Sequence, residues 1–113
     1  MKVEKLELGL LSIPLKKPFK TALRTVEKIS ELILVLRSEQ GELGFGEAPP
    51  TAKITGETLQ SIAAAIEQEI GPAIKACGDA SLNELLDASE ASIMGNTSAK
   101  AAMDIALHDL WSK

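Results

Sequence analysis

Histidine, cysteine and clustered carboxylates carry much of enzyme chemistry, and this chain is thinly supplied with the first two. His108 is its only histidine and Cys77 its only cysteine. His108 follows Asp104 by four residues, so the two share a helix face and can pair. A catalytic dyad also needs an orienting group and a pocket, and the sequence offers neither. The pair therefore reads as a solvated i,i+4 contact. One histidine and one cysteine make a poor ligand set for zinc or a similar metal. The 16 acidic residues, Glu47 among them, are spread over several elements, and no spacing suggests a trio around Mg²⁺. Gly41-Glu42-Leu43-Gly44-Phe45-Gly46-Glu47 is glycine-rich. A phosphate cradle would lead straight into a helix, whereas a Pro-Pro pair follows here, so a hairpin turn with close strand packing is the better reading. Cys77, beside Gly78, reads as an incidental thiol in a loop, and a single cysteine excludes an internal disulfide.

The strongest chemical anomaly is Lys16–Lys28. It holds five of the 12 basic residues and one of the 16 acids, Glu27, on a chain of net charge −4. It reads as a basic flap between two strands, longer than a hairpin needs, and connections beyond about 12 residues tend to be functional or disordered. Pro18 argues against a helix through it. Arg24 could clasp a carboxylate through two parallel N–H bonds. On the residues alone, a solvated loop charge is the favoured reading of Arg24.

The elements that must position these groups are legible from periodicity. Val3 to Ile13 alternates through Leu6, Leu8 and Leu10 and then changes phase, which predicts a half-buried strand with a bulge near Gly9–Leu11, ended by Pro14. Leu32–Leu36 is an unbroken apolar run, the pattern of a strand covered on both faces. Ser38-Glu39-Gln40-Gly41 is a turn, and Glu42–Glu47 a third strand. Ala48-Pro49-Pro50-Thr51 opens a second loop that runs to Gly56. Leu59, Ile62, Ile66 and Ile70 then follow helical spacing, which Gly71-Pro72 should weaken or end. Ser81-Leu82-Asn83-Glu84 is a capping box for a short helix with Leu82, Leu85 and Leu86. Gly95-Asn96-Thr97 precedes the clearest helix, with Ala99, Ala102, Met103, Ala106, Leu107 and Leu110 on one face. Its alanines should admit a close neighbouring helix. The expected fold is α+β, a three-stranded antiparallel meander followed by a helical bundle.

Composition narrows the function classes. With 113 residues the chain can bury roughly 65% of its unfolded surface, enough for one core. Its negative net charge and three aromatic residues argue against nucleic-acid binding. The charged start, Met1 to Lys5, leads into no apolar stretch long enough for a signal peptide or a membrane span, which predicts a cytoplasmic protein without membrane contact.

Three stretches resemble the N-terminal domain of dipeptide epimerases in the muconate-lactonizing branch of the enolase superfamily. They are Lys17-Pro18-Phe19-Lys20-Thr21-Ala22-Leu23-Arg24-Thr25, Gly44-Phe45-Gly46-Glu47-Ala48-Pro49-Pro50 and Ile54-Thr55-Gly56-Glu57. Ala99-Lys100-Ala101-Ala102-Met103-Asp104-Ile105-Ala106-Leu107-His108-Asp109-Leu110 is similar to the superfamily's N-terminal signature, with Ser112 in place of the usual Gly or Ala. The resemblance covers essentially the whole chain and implies that residues 1–113 are a capping domain over a (β/α)₇β barrel. In the family that barrel carries the catalytic lysines and the acidic Mg²⁺ ligands, so no catalytic or metal-binding residue is expected in this chain. The implied substrate is an L-Ala-Glu dipeptide, epimerised at the glutamate α-carbon. By the same resemblance Arg24 should meet the glutamate side-chain carboxylate and Ile54 should line the pocket, with Phe19 and Thr21 as further flap candidates.

The sequence ends at Lys113, within the signature, and holds no barrel, which implies a cap separate from its catalytic domain. Its partners would be that barrel and a small dipeptide. The doubly apolar strand and Trp111 look like surfaces expecting cover, and they predict a homo-oligomer or a domain swap. Two alternatives stand beside this reading. One is the cap of a muconate cycloisomerase or o-succinylbenzoate synthase. The other is a free-standing α+β interaction module that uses its basic flap to hold an acidic partner.

Overall fold

The computed structural model describes residues 1–20, 25–48 and 58–113, and for 10–20 and 25–30 it describes the backbone alone. Three strands, β1 (Val3–Lys20), β2 (Thr25–Ser38) and β3 (Leu43–Ala48), form an antiparallel sheet in the order β1-β2-β3. Helices α1 (Leu59–Ala65), α2 (Gly71–Ala76), α3 (Leu82–Ser92) and α4 (Thr97–Trp111) follow, and a π-helical segment, Ile66–Ile70, joins α1 to α2. This is the expected α+β meander and helical layer.

Leu32, Leu34 and Leu36 of β2 are buried, while Ile33 and Val35 between them are half-buried. The run thus covers one face fully, against the helices, and not two. Leu34 and Leu36 meet Ile62, Ile66, Ile70, Ile74, Leu85, Met103 and Leu107 in a single core, with Leu6 and Leu8 of β1 packed at its margin.

Three local expectations are corrected. Pro14 does not end β1: it pairs with Lys28, and pairing continues to Lys20↔Thr25. β1 is an edge strand, where a residue without an N–H costs no ladder bond on the open side. Much of the basic flap is consequently a two-stranded ribbon rather than a loop. Nor does the ladder bulge at Gly9–Leu11, where Gly9↔Ile33, Leu10↔Leu32 and Leu11↔Glu31 run in register; its shifts fall between Val3 and Lys5 and between Pro14 and Phe19. Finally, the alanines of α4 face a strand more than a helix, for a reason given below.

Gly71-Pro72 weakens the first long helix without ending it. Proline offers no N–H and its ring crowds the carbonyl four residues back. The preceding turn widens, and the Gly71 N–H bonds the Ile66 carbonyl, five residues back. Gly71 is buried there, where a Cβ would lie 3.2 Å from Leu6 Cδ1. Downstream, Ser81 caps α3 as expected: the Glu84 N–H donates to Ser81 Oγ at 3.2 Å and the Ser81 N–H to Glu84 Oε1 at 3.4 Å.

Candidate functional site

Two chain segments carry the candidate binding residues, and the antiparallel order brings the strand ends that lead into them, Lys20, Thr25 and Ala48, to one end of the sheet. β1 leaves the sheet at Lys20, β2 enters at Thr25, and β3 leaves at Ala48, opposite Leu32. Beyond the Leu10–Leu32–Ala48 row, β1 and β2 continue without β3. Of the predicted site residues, Phe19 sits on this ribbon with its backbone paired to Val26. Thr21, Arg24 and Ile54 lie outside the described residues.

Helix α4 holds β3 in place. Gly44 and Gly46 point at it, and both are buried. A Cβ on Gly44 would come within 2.7 Å of Leu110 Cβ, and one on Gly46 would strike the Ala102 carbonyl and sit 3.1 Å from the Ala106 nitrogen. Glycine on the strand and alanine on the helix let the two backbones approach to near contact. Ala102 lies against Gly46 while Leu110 lies against Gly44, so α4 runs antiparallel to β3. Its N-terminal turn therefore stands at the same end as Ala48. The Gly-Phe-Gly close-packing reading thus holds, with a helix as the packed neighbour.

Asp109 adds a polar clasp that sequence reasoning missed. Alternate amides of the edge strand β3 have no strand partner. The Phe45 N–H donates to Asp109 Oδ2 at 2.9 Å, and Lys113 Nζ lies 3.6 Å from Asp109 Oδ1. No local pattern couples two residues so far apart in sequence.

The His108 ring does not pair with the Asp104 side chain. Its Nδ1 lies 2.8 Å from the Asp104 backbone carbonyl oxygen. The Asp104 carboxyl is held above the usual carboxylate range, chiefly by partial burial, with Glu90 reinforcing and His108 opposing. Lys100 Nζ, mostly buried, lies 3.4 Å from Glu90 Oε1. Cys77 caps α2, its Sγ 3.4 Å from the Ala73 carbonyl. Among the described residues no three His, Cys, Asp or Glu side chains come together to hold a metal ion. Nor is any helix there long and apolar enough to cross a membrane.

The sheet-and-helix arrangement and the α4 signature have a counterpart in known proteins. Residues 7–113 match the family model described as mandelate racemase / muconate lactonizing enzyme, N-terminal domain. The chain belongs to this family. The domain is similar to the L-Ala-D/L-Glu epimerase of Bacillus subtilis (strain 168), 41% identical over 113 residues, which are 100% of this chain and 31% of that protein. A solved substrate-liganded complex of the L-Ala-D/L-Glu epimerase from Bacillus subtilis aligns with a TM-score of 0.88 at 41% identity, covering 98% of this chain and 31% of that one. A dipeptide epimerase from Enterococcus faecalis V583, solved with Mg and the dipeptide L-Leu-L-Tyr, aligns with a TM-score of 0.84 at 32% identity, over 98% of this chain and 31% of that one. The N-terminal domain thus spans about a third of the length of these relatives, which are isomerases of the enolase superfamily.

Proposed function

We propose that this domain is the substrate-specificity cap of a longer, Mg²⁺-dependent dipeptide epimerase, cytoplasmic, that interconverts L-Ala-L-Glu and L-Ala-D-Glu. The observation that supports it most is the 41% identity to an L-Ala-D/L-Glu epimerase along the entire chain. The topology is consistent with it, since the ribbon bearing Phe19 and the strand leading toward Ile54 leave the sheet at one end. That end would cover the open mouth of a C-terminal (β/α)₇β barrel lying outside this chain. Moving a proton at an α-carbon needs bases on both faces of that carbon and a group that stabilises the enolate. The described residues present no such set, so the barrel would supply it, and Mg²⁺ would be held there.

In this reading the cap binds and orients. Arg24 takes the glutamate side-chain carboxylate of the dipeptide through its guanidinium fork, Ile54 supplies an apolar wall, and Phe19 and Thr21 flank them. The test is a kinetic assay of the full-length gene product on L-Ala-L-Glu with Mg²⁺. Epimerisation should be seen as exchange of the glutamate α-proton with solvent deuterium. Arg24→Ala should lower kcat/KM for glutamate-containing dipeptides by about 1.5–3 kcal/mol, the worth of a charged hydrogen bond, and spare dipeptides without an acidic side chain. Absence of exchange rejects the reaction; unchanged kcat/KM in Arg24→Ala removes that residue from the site.

A further inference from the structure

β3 meets α4 through a graded series of residues. Gly44, Gly46 and Ala48 alternate onto the helix side of the strand, and all three are buried. A Cβ on Gly44 would strike the Ala106 carbonyl and lie 2.8 Å from the Leu110 nitrogen. One on Gly46 would strike the Ala102 carbonyl and lie 3.1 Å from the Ala106 nitrogen. Each step of two strand residues, ~6.8 Å, thus advances four residues along α4, ~6 Å, so strand and helix stay in step. A further step carries Ala48 toward the first turn of α4, where Ala99 is buried. Ala48 is 2% exposed, belongs to the core, and is the first residue of the series with a Cβ.

Ala48 is also the last residue of β3, opposite Leu32. From there the chain goes on to Ile54, outside the described residues. Where glycine faces α4 the two backbones touch; where alanine does, a methyl group holds them apart. The angle at which the strand leaves the helix is therefore set by which positions carry a Cβ. Leverage at the exit is large: a shift of ~1 Å at Gly46, pivoting on Gly44 ~6.8 Å away, tilts the exit by ~8°. Gly44 stands at the other end of β3, next to the exposed turn at Glu39–Glu42, which can absorb a shift made there.

We propose that Gly46 and Ala48 are positioning residues for substrate binding: they touch no substrate, and they fix the direction in which the chain runs from β3 to the pocket wall at Ile54. The inference deepens the functional reading above and rests on it for the identity of the substrate. A binding pocket tolerates ~0.5 Å of misplacement, and the shift that a Cβ on Gly46 demands exceeds it. Gly46→Ala drives the exit away from α4, and Ala48→Gly lets it close onto the helix. In that reading the chemistry at the α-carbon belongs to the barrel, so a displaced wall weakens binding and appears in KM rather than in kcat.

Gly44→Ala is the control, because it meets a comparable clash with α4 away from the exit. On the full-length gene product, Gly46→Ala and Ala48→Gly should each raise KM for L-Ala-L-Glu by about fivefold or more and keep kcat within about twofold. Gly44→Ala should keep KM within about twofold, although its urea midpoint falls as that of Gly46→Ala does. If Gly46→Ala fails to fold, Ala48→Gly, which only removes a methyl group, decides. Hydrogen exchange at residues 51–57, read on the same proteins without substrate, separates this proposal from the functional reading. It should change by about threefold or more in Gly46→Ala and Ala48→Gly and stay as it was in Gly44→Ala, whatever the substrate. Absence of turnover with that exchange pattern intact rejects the substrate and keeps the positioning role. Equal KM effects at Gly44 and Gly46, an unchanged KM in both exit variants, or exchange that does not distinguish the three would overturn the proposal.

Discussion

Gly46 shows how far one missing methyl can govern this domain. Its Cβ position is filled by the backbone of α4, so Gly46→Ala must push strand and helix apart. Overpacking of this kind costs about 1–3 kcal/mol or more. Urea unfolding should report that loss as a lower midpoint. Gly9→Ala is the control: nothing lies within 4 Å of its Cβ position, and its stability should stay within about half a kcal/mol of the original. Equal effects at the two sites would refute the close-packing account. Asp79 makes a different residue-scale case. The Met1 ammonium donates to its Oδ1 at 2.7 Å, which holds the Asp79 carboxyl below the usual range. A carboxyl lowered by folding stabilises the fold at pH values above its unfolded pKa of about 3.9, and that contribution vanishes as pH falls through the folded value. Asp79→Asn should therefore melt at a lower temperature than the original near neutral pH, and the two curves should converge in strong acid. A gap that persists in acid would point to lost packing instead.

At the scale of elements, α4 and β3 act as one unit. Asp109 accepts the Phe45 amide on the open edge of the sheet. Asp109→Ala should speed hydrogen exchange at Phe45 by about tenfold, whereas Asp109→Asn, which keeps an acceptor oxygen, should remain close to the original. Equal exchange in both variants would show that packing alone protects the edge. Element by element, periodicity was a sound guide wherever a pattern repeated. The α4 face from Ala99 to Leu110 is buried as its spacing implied, and the Ser81–Glu84 box closes as written. It misled where a rule about one residue met a tertiary context. Pro14 is a strand breaker in a central strand and harmless on the edge. The apolar run Leu32–Leu36 carries no mark of which face finds cover within this chain. The alanine stripe announced a close neighbour but not its kind, because Gly44 and Gly46 offer a strand as thin as any helix.

For the whole molecule, the family was written in short stretches, of which the described parts lie on the β1–β2 ribbon, along β3 and along α4. The candidate site was legible only in that form. Charge segregation singled out Lys16–Lys28 but read Arg24 as solvated loop charge, and only its resemblance to the epimerases motivates the proposed carboxylate contact. No single segment predicts that the ribbon, the exit of β3 and the start of α4 share an end; that follows from antiparallel pairing. The ribbon has a mechanical side as well. On β2 it runs seven residues, Leu32 to Thr25, ~23 Å past the last row that β3 supports, while β1 spends ten residues over the same reach. It is a cantilever fixed at its base, with its ladder already offset between Pro14 and Phe19. A rotation of ~5° at the root moves the Lys20–Thr25 end by ~2 Å over that length. Small torques at the three-stranded root are thereby geared up into displacements longer than a covalent bond at the Lys20–Thr25 end.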